Sequence, residues 1–205
     1  MKRTLLAFGA FLLGAAIIPV PGQGQTRLIP QMGLYTSVSD LGTVDSSDGA
    51  LDVGEHETSL AYGLSLDLAS AKTVGFRIAG LYGTKSEVPV GGIGCEGSAC
   101  DLRSTMLGLS ASAVLRLLPA SSPFRPYLLA GGGVKRYDFE FESDSQLKDA
   151  FGNESQATVV LGLGFDWSLA LLKGNLELAD YVSNSFLDDG DRQHDFFLTV
   201  GLILG

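Results

Sequence analysis

A period of two runs through most of this chain, and its two faces differ in a way few folds accommodate. From Ser59 to Ala69 one parity reads Leu60, Tyr62, Leu64, Leu66 and Leu68, the other Ala61, Gly63, Ser65, Asp67 and Ala69. The alternation returns in Val74, Phe76, Ile78, Gly80 and Tyr82, and in Leu107, Leu109, Ala111, Ala113, Leu115 and Leu117. It is clearest in Ala157, Val159, Leu161, Leu163, Phe165, Trp167, Leu169 and Leu171, and it closes the chain in Phe196, Leu198, Val200, Leu202 and Leu204. Successive side chains of a strand point to opposite faces, so each segment predicts a strand with one apolar face. The opposite parity is mostly Gly, Ala and Ser, too small and too lightly charged for a surface facing water. A soluble barrel would turn its large apolar residues inward and its charges outward. Here the small residues suit the narrow interior of an eight-stranded barrel, which side chains fill. The charge-free face suits hydrocarbon, where a Lys or Arg at mid-depth costs about 2–4 kcal/mol.

Three rougher segments complete the count. Arg27 to Ser39 reads as a first strand, Phe124 to Glu142 as a fifth with a bulge near Gly131–Lys135, and Asn175 to Ser185 as a seventh with a parity slip at Asp180–Tyr181. Short links at Ser70–Lys72, Pro119–Pro123 and Lys173–Gly174 alternate with long polar ones at Asp40–Glu55, Lys85–Cys100, Ser143–Glu154 and Asn184–Asp191. Short turns at one end and long loops at the other are the habit of membrane barrels, and closure is the only strand-based way to satisfy every backbone group in lipid. The predicted fold is all-β: an eight-stranded antiparallel transmembrane β-barrel with both termini periplasmic and four long extracellular loops. Tyr62, Tyr82, Tyr137 and Phe196 fall near the outer strand ends and Tyr127 and Trp167 near the periplasmic ends, as two interfacial girdles would.

The N-terminus reads as a secretory signal. Lys2 and Arg3 precede the apolar run Leu5–Ile18, then Pro19 and Pro21, then the small residues Gly22 and Gly24. That run is short of the ~20 residues of a membrane-spanning helix. Residues 1–24 are therefore assigned to a signal peptide and 25–205 to the barrel. The mean hydropathy is nonetheless +0.24, as lipid-facing strands require. The formal charge of −9 becomes more negative once Lys2 and Arg3 are removed, which argues against nucleic acid as a partner. The acids gather in the long links: Asp40, Asp45, Asp48, Asp52, Glu55 and Glu57, then Asp144, Asp149 and Glu154, then Asp188, Asp189, Asp191 and Asp195. Cys95 and Cys100 share one Gly-rich link. Beyond a signal peptide the compartment is oxidising, and zinc wants about four ligands where no His or second Cys pair is near, so a loop disulfide is expected.

In this pattern the chain resembles the small outer-membrane β-barrel proteins of Gram-negative bacteria: the OmpX/Ail-like and OmpW-like groups and the barrel domain of OmpA. The resemblance covers Arg27 to Gly205. It implies export through the periplasm to the outer membrane, contact with outer-membrane lipid and lipopolysaccharide, and insertion by the outer-membrane assembly machinery. Such proteins usually end in an aromatic residue, whereas this chain ends Val200-Gly201-Leu202-Ile203-Leu204-Gly205.

The inward parity carries Asp67, Arg77, Arg116, Asp166 and Glu177, all in the periplasmic half. Opposite charges at one depth of a narrow lumen should pair, because an unpaired buried charge is costly, and the predicted result is an ion network that plugs the barrel. No catalytic site is expected. Lipid A deacylases on this scaffold place His and Ser two residues apart, whereas His56 is followed by Glu57 and Thr58, and His194 by Asp195 and Phe196. A nucleophilic Ser needs a partnered base, and both histidines read as solvated at strand borders. No metal or cofactor is expected, since the acidic links lack the ligand spacing of a calcium loop. The expected role is structural or a surface interaction, with the extracellular ligand unspecified. The alternative, from the OmpW-like resemblance, is a porin-like narrow passage for small apolar molecules, and a lipid A-modifying enzyme is the weaker third reading.

Overall fold

The amphipathic segments pair with their neighbours until the sheet meets itself. The computed structural model describes residues 25–38, 42–46, 49–53, 57–88, 90–92, 102–141, 155–169, 172–184 and 192–205. Its strands are β1 (Arg27–Ser37), β2 (Gly42–Ser46), β3 (Gly49–Val53), β4 (Ser59–Leu68), β5 (Val74–Val88), β6 (Val90–Gly92), β7 (Leu102–Arg116), β8 (Phe124–Phe141), β9 (Ser155–Leu169), β10 (Leu172–Asn184) and β11 (Arg192–Leu202). Eight of them close in the order β1-β11-β10-β9-β8-β7-β5-β4, and all pairs are antiparallel. The seam is made by the two ends of the barrel sequence, with Gln31 opposite Gly201 and Ser37 opposite Asp195.

The register is strongly staggered. From Tyr35 the paired residues run through Phe197, Ala179, Gly162, Leu129 and Val114 to Gly75, at the short-turn end of β5. Tyr35 is also opposite Ser59, at the far end of β4. A circuit that starts high and returns low is how tilted strands close a barrel.

Two expected irregularities are absent. Pairing through Gly131–Lys135 is continuous on both sides of β8, and pairing through Asp180–Tyr181 is continuous on both sides of β10. The apolar residues misled the parity because Lys135 points inward while Asp180 points outward. The register shift lies on β5, between Gly83 and Ser86. The link placed at Lys173–Gly174 falls within β10, where Lys173 pairs with Ser168 and Gly174 with Trp167. Three short strands inside the long connections, β2, β3 and β6, form a separate antiparallel sheet where only loops were expected. Cys95, Cys100 and His56 lie outside the described residues.

The burial pattern is inverted relative to a soluble protein. Phe76, Leu163, Val159, Leu172 and Met32 are more than half exposed, while Arg77 and Arg116 are among the largest fully buried side chains. The outward face of β8 stays uncharged from Phe124 to Val134 before Arg136, Asp138 and Glu140, and that of β7 from Leu117 to Leu107 before Thr105 and Arg103. About ten residues of a strand tilted near 40° rise roughly 25 Å, the height of the apolar band of a membrane barrel. Tyr62, Tyr82 and Trp167 do face outward, but Tyr127 and Tyr137 do not belong to a girdle: both point into the lumen and are buried. Trp167 lies flat over Gly174, where a Cβ would sit 2.1 Å from its ring.

Candidate functional site: the filled lumen

With the short-turn end taken as the bottom, the inward residues stack in layers. The bottom layer is ionic. Arg77 on β5 donates from Nε to Asp67 Oδ1 at 2.6 Å and from Nη2 to Oδ2 at 3.1 Å. Its Nη1 reaches across to Glu177 on β10, and donates to the Tyr127 hydroxyl at 3.0 Å. β5 and β10 stand on opposite sides of the barrel, so this one guanidinium spans the lumen. Tyr127 in turn donates to Glu177 at 2.7 Å, and its ring lies 4.9 Å below the Arg77 guanidinium. Arg116 adds a single bond, Nη2 to Asp67 Oδ2 at 2.6 Å.

Asp166 belongs to the same layer through different partners. It accepts from Arg27 at 3.2 Å and from Asn175 at 3.0 Å, and Asn175 also donates to Tyr127 at 2.7 Å. All five charges expected in the lumen, Asp67, Arg77, Arg116, Asp166 and Glu177, are thus inward and buried. Asp166 and Glu177 do not bond to each other; Asn175 and Tyr127 connect them. Two glycines make the close approaches possible: a Cβ at Gly75 would lie 2.5 Å from Arg116 Nη1, and one at Gly164 would lie 2.5 Å from the Tyr127 hydroxyl.

Beneath this layer Arg125 closes the floor without a carboxylate. It donates to the Leu118 carbonyl at 2.9 Å and the Lys72 carbonyl at 3.0 Å, and also to that of Ser70. One side chain thereby fastens two short turns, and the carbonyl dipoles offset its charge.

A second ionic layer lies nearer the long-connection end. Lys135 on β8 and Asp195 on β11 pair across the lumen with no exposed surface on either side chain. Asp195 also accepts from Tyr35 at 3.0 Å and from Tyr137. Neither Lys135 nor Asp195 was assigned to the network from sequence. Uninterrupted alternation from Arg125 through Tyr127, Leu129, Gly131 and Gly133 would have placed Lys135 inward, and outward Phe196 implies inward Asp195.

Between the two layers a buried apolar cluster is interleaved with the buried hydroxyls of Ser110, Ser112 and Thr199. Leu81, Leu129, Val160, Tyr181 and Phe197 belong to one buried cluster. Along their own strands, Leu129 lies between Tyr127 and Lys135, Phe197 between Thr199 and Asp195, and Leu81 beyond Arg77. Phe197 packs on Tyr35 at 5.0 Å and edge-on to Tyr181 at 5.4 Å, and the Tyr181 hydroxyl meets Ser110 at 3.0 Å.

One polar pair interrupts the outward face. His194 Nδ1 and Asp180 Oδ2 are 2.8 Å apart, and the His194 ring stacks on Phe196 at 6.3 Å. His194 is thus paired, where a solvated ring was expected.

No protein-family model matches the chain, and no curated protein sequence matches it. Solved structures do. Neisserial surface protein A is 12% identical over 87% of this chain and 96% of its own, with a TM-score of 0.54. The outer membrane protein OprG from Pseudomonas aeruginosa is 14% identical over 89% of this chain and 95% of its own, with a TM-score of 0.52. At such identity the likeness is one of fold: this chain has the fold of the small outer-membrane β-barrels.

Proposed function

We propose that this chain is a non-conducting barrel of the bacterial outer membrane, non-enzymatic, whose lumen is a plug and whose role is exercised at the cell surface. One observation carries the reading: two ionic layers each bridge the lumen, and the buried side chains of Leu81, Leu129, Val160, Tyr181 and Phe197 fill the space between them. An ion on this path would have to displace packed, buried side chains after breaking pairs whose separation typically costs about 3–5 kcal/mol. The outer-membrane site rests on the uncharged outward band, on export as read from residues 1–24, and on the fold likeness. The surface role rests on the acidic long links and on the sheet of β2, β3 and β6 that elaborates them.

The test is electrical. The mature barrel, purified and inserted in planar bilayers, is expected to give no steady conductance steps in 1 M KCl. Discrete steps would overturn the plugged-lumen reading and favour the narrow passage.

A further inference from the structure

The two ends of the barrel carry opposite charge. The long links hold most of the acids, whereas across residues 25–28, 69–74, 116–126, 168–174 and 202–205, which make the short-turn end, every charged side chain is a cation: Arg27, Lys72, Arg116, Arg125 and Lys173. Asp67, Asp166 and Glu177 lie in the layer above, buried and already matched by Arg77, Arg116 and Arg27. Lys72 and Lys173 are exposed, and no exposed carboxylate side chain lies at this end among the described residues. Both lysines mark the lower edge of the uncharged outward face: Lys72 is two residues before Val74 and Lys173 is next to Leu172, each more than half exposed. Trp167, a residue type of membrane–water borders, pairs with Gly174 beside Lys173. The backbone that presents them is held, since the Lys72 carbonyl accepts from Arg125 at 3.0 Å and the Lys173 carbonyl from the Ile203 N–H at 3.0 Å. Around the closed sheet the two turns face each other, with β1 and β11 between them one way and β7 and β8 the other.

We propose that this rim selects anionic phospholipid, with Lys72 and Lys173 holding headgroup phosphates of the leaflet at the short-turn end. The inference goes beyond the plug and the surface role and rests on the membrane reading alone. A lysine stem runs along apolar surface while its ammonium stays at headgroup level, so both cations reach the phosphates. Attraction to an anionic leaflet is a sum over such cations. A zwitterionic headgroup brings its own ammonium and offers the lysines less, so the unmatched positive charge of the rim discriminates between the two lipid classes. The opposed placement of the lysines favours lipid over a docked protein, because lipid surrounds the barrel and meets both at once.

The test inserts the whole mature barrel into nanodiscs of equal parts phosphatidylglycerol and phosphatidylethanolamine and counts the lipids it retains on release by native mass spectrometry. Phosphatidylglycerol is expected to be retained in preference. Each lysine should contribute about fivefold to that preference, so Lys72→Gln and Lys173→Gln each lower it and the double variant abolishes it. Lys85→Gln, at the opposite edge and exposed beside Glu140, should leave it unchanged. Heat-modifiable gel mobility certifies that each variant has folded. Equal retention of the two lipids by the folded wild type, an undiminished preference in the double variant, or an equal loss in Lys85→Gln would overturn the rim site. Displacement of phosphatidylglycerol by polyglutamate would assign the rim to an acidic peptide instead. A barrel that does not insert would overturn the membrane reading and the rim site with it, whereas an inserted barrel without lipid preference overturns the rim site alone.

Discussion

Replacing Arg77 with methionine should damage the barrel more than the same change at Arg116, although both guanidiniums are fully buried and both touch Asp67. Arg77 bonds both Asp67 oxygens, Glu177 and the Tyr127 hydroxyl, and covers the Tyr127 ring. Without it, among the described residues, Glu177 keeps Tyr127 alone and Asp67 keeps Arg116 alone. Leaving a buried carboxylate without its counter-ion typically costs about 3–5 kcal/mol. Arg116 makes one bond, and its Nε and Nη1 have no partner among the described residues. Without it Asp67 remains bonded to Arg77 through both oxygens. The loss is one charge-assisted hydrogen bond, about 1.5–3 kcal/mol, reduced by release of two unmet donors. With a urea slope of about 2 kcal/mol per M, Arg77→Met should lower the midpoint by about 2 M and Arg116→Met by about 1 M or less. The exposed Lys85–Glu140 pair supplies the control: Lys85→Ala removes a surface bridge worth about 0–1 kcal/mol. The assay is urea unfolding in lipid vesicles followed by fluorescence of Trp167, the single tryptophan. Equal midpoints for the two arginine variants, or a larger loss at Arg116, would refute the assignment of Arg77 as the hub.

Three further outcomes are expected. Phe197→Ala combined with Tyr181→Ala removes most of the aromatic bulk between the ionic layers, so the variant should conduct in planar bilayers where the wild type is silent; silence in both would show that the ionic layers seal the lumen alone. Single cysteines at Ser47, Ser145 and Asp189, in a chain lacking Cys95 and Cys100, should react with an impermeant thiol reagent on intact cells while one at Ser121 does not, and the opposite pattern would invert the barrel. His194→Leu leaves the Asp180 carboxylate alone on the apolar face and should lower urea resistance; adding Asp180→Leu should restore it, and a double variant as weak as the single one would show that the pair stabilises the barrel by more than mutual neutralisation.

Much of this protein is local physics and is therefore readable along the chain. Alternation with period two assigns each side chain to a face, and the contrast between Leu64 or Leu163 and their Gly and Ser neighbours decides that the apolar face looks outward. That was enough for eight strands, for closure, and for Asp67, Arg77, Arg116, Asp166 and Glu177 inside. Alternation failed where it was judged by hydrophobicity instead of by counting. Lys135 seemed to need a bulge and Asp180 a slip, because a buried lysine and an outward carboxylate looked like errors of phase. Each is tolerated through a partner on another strand, Asp195 for Lys135 and His194 for Asp180.

What the amino-acid order determined by itself is which face each residue occupies, since pleating is a property of one strand. Which residues meet across the lumen was decided only by the tertiary structure. The stagger of the closed sheet sets relative heights, so Arg77 meets Glu177 from the opposite wall while Asp166, near Glu177 in sequence, turns to Arg27. The two ionic layers and the buried cluster between them follow from that stagger, because the height at which an inward residue sits depends on strand tilt and register around the whole barrel.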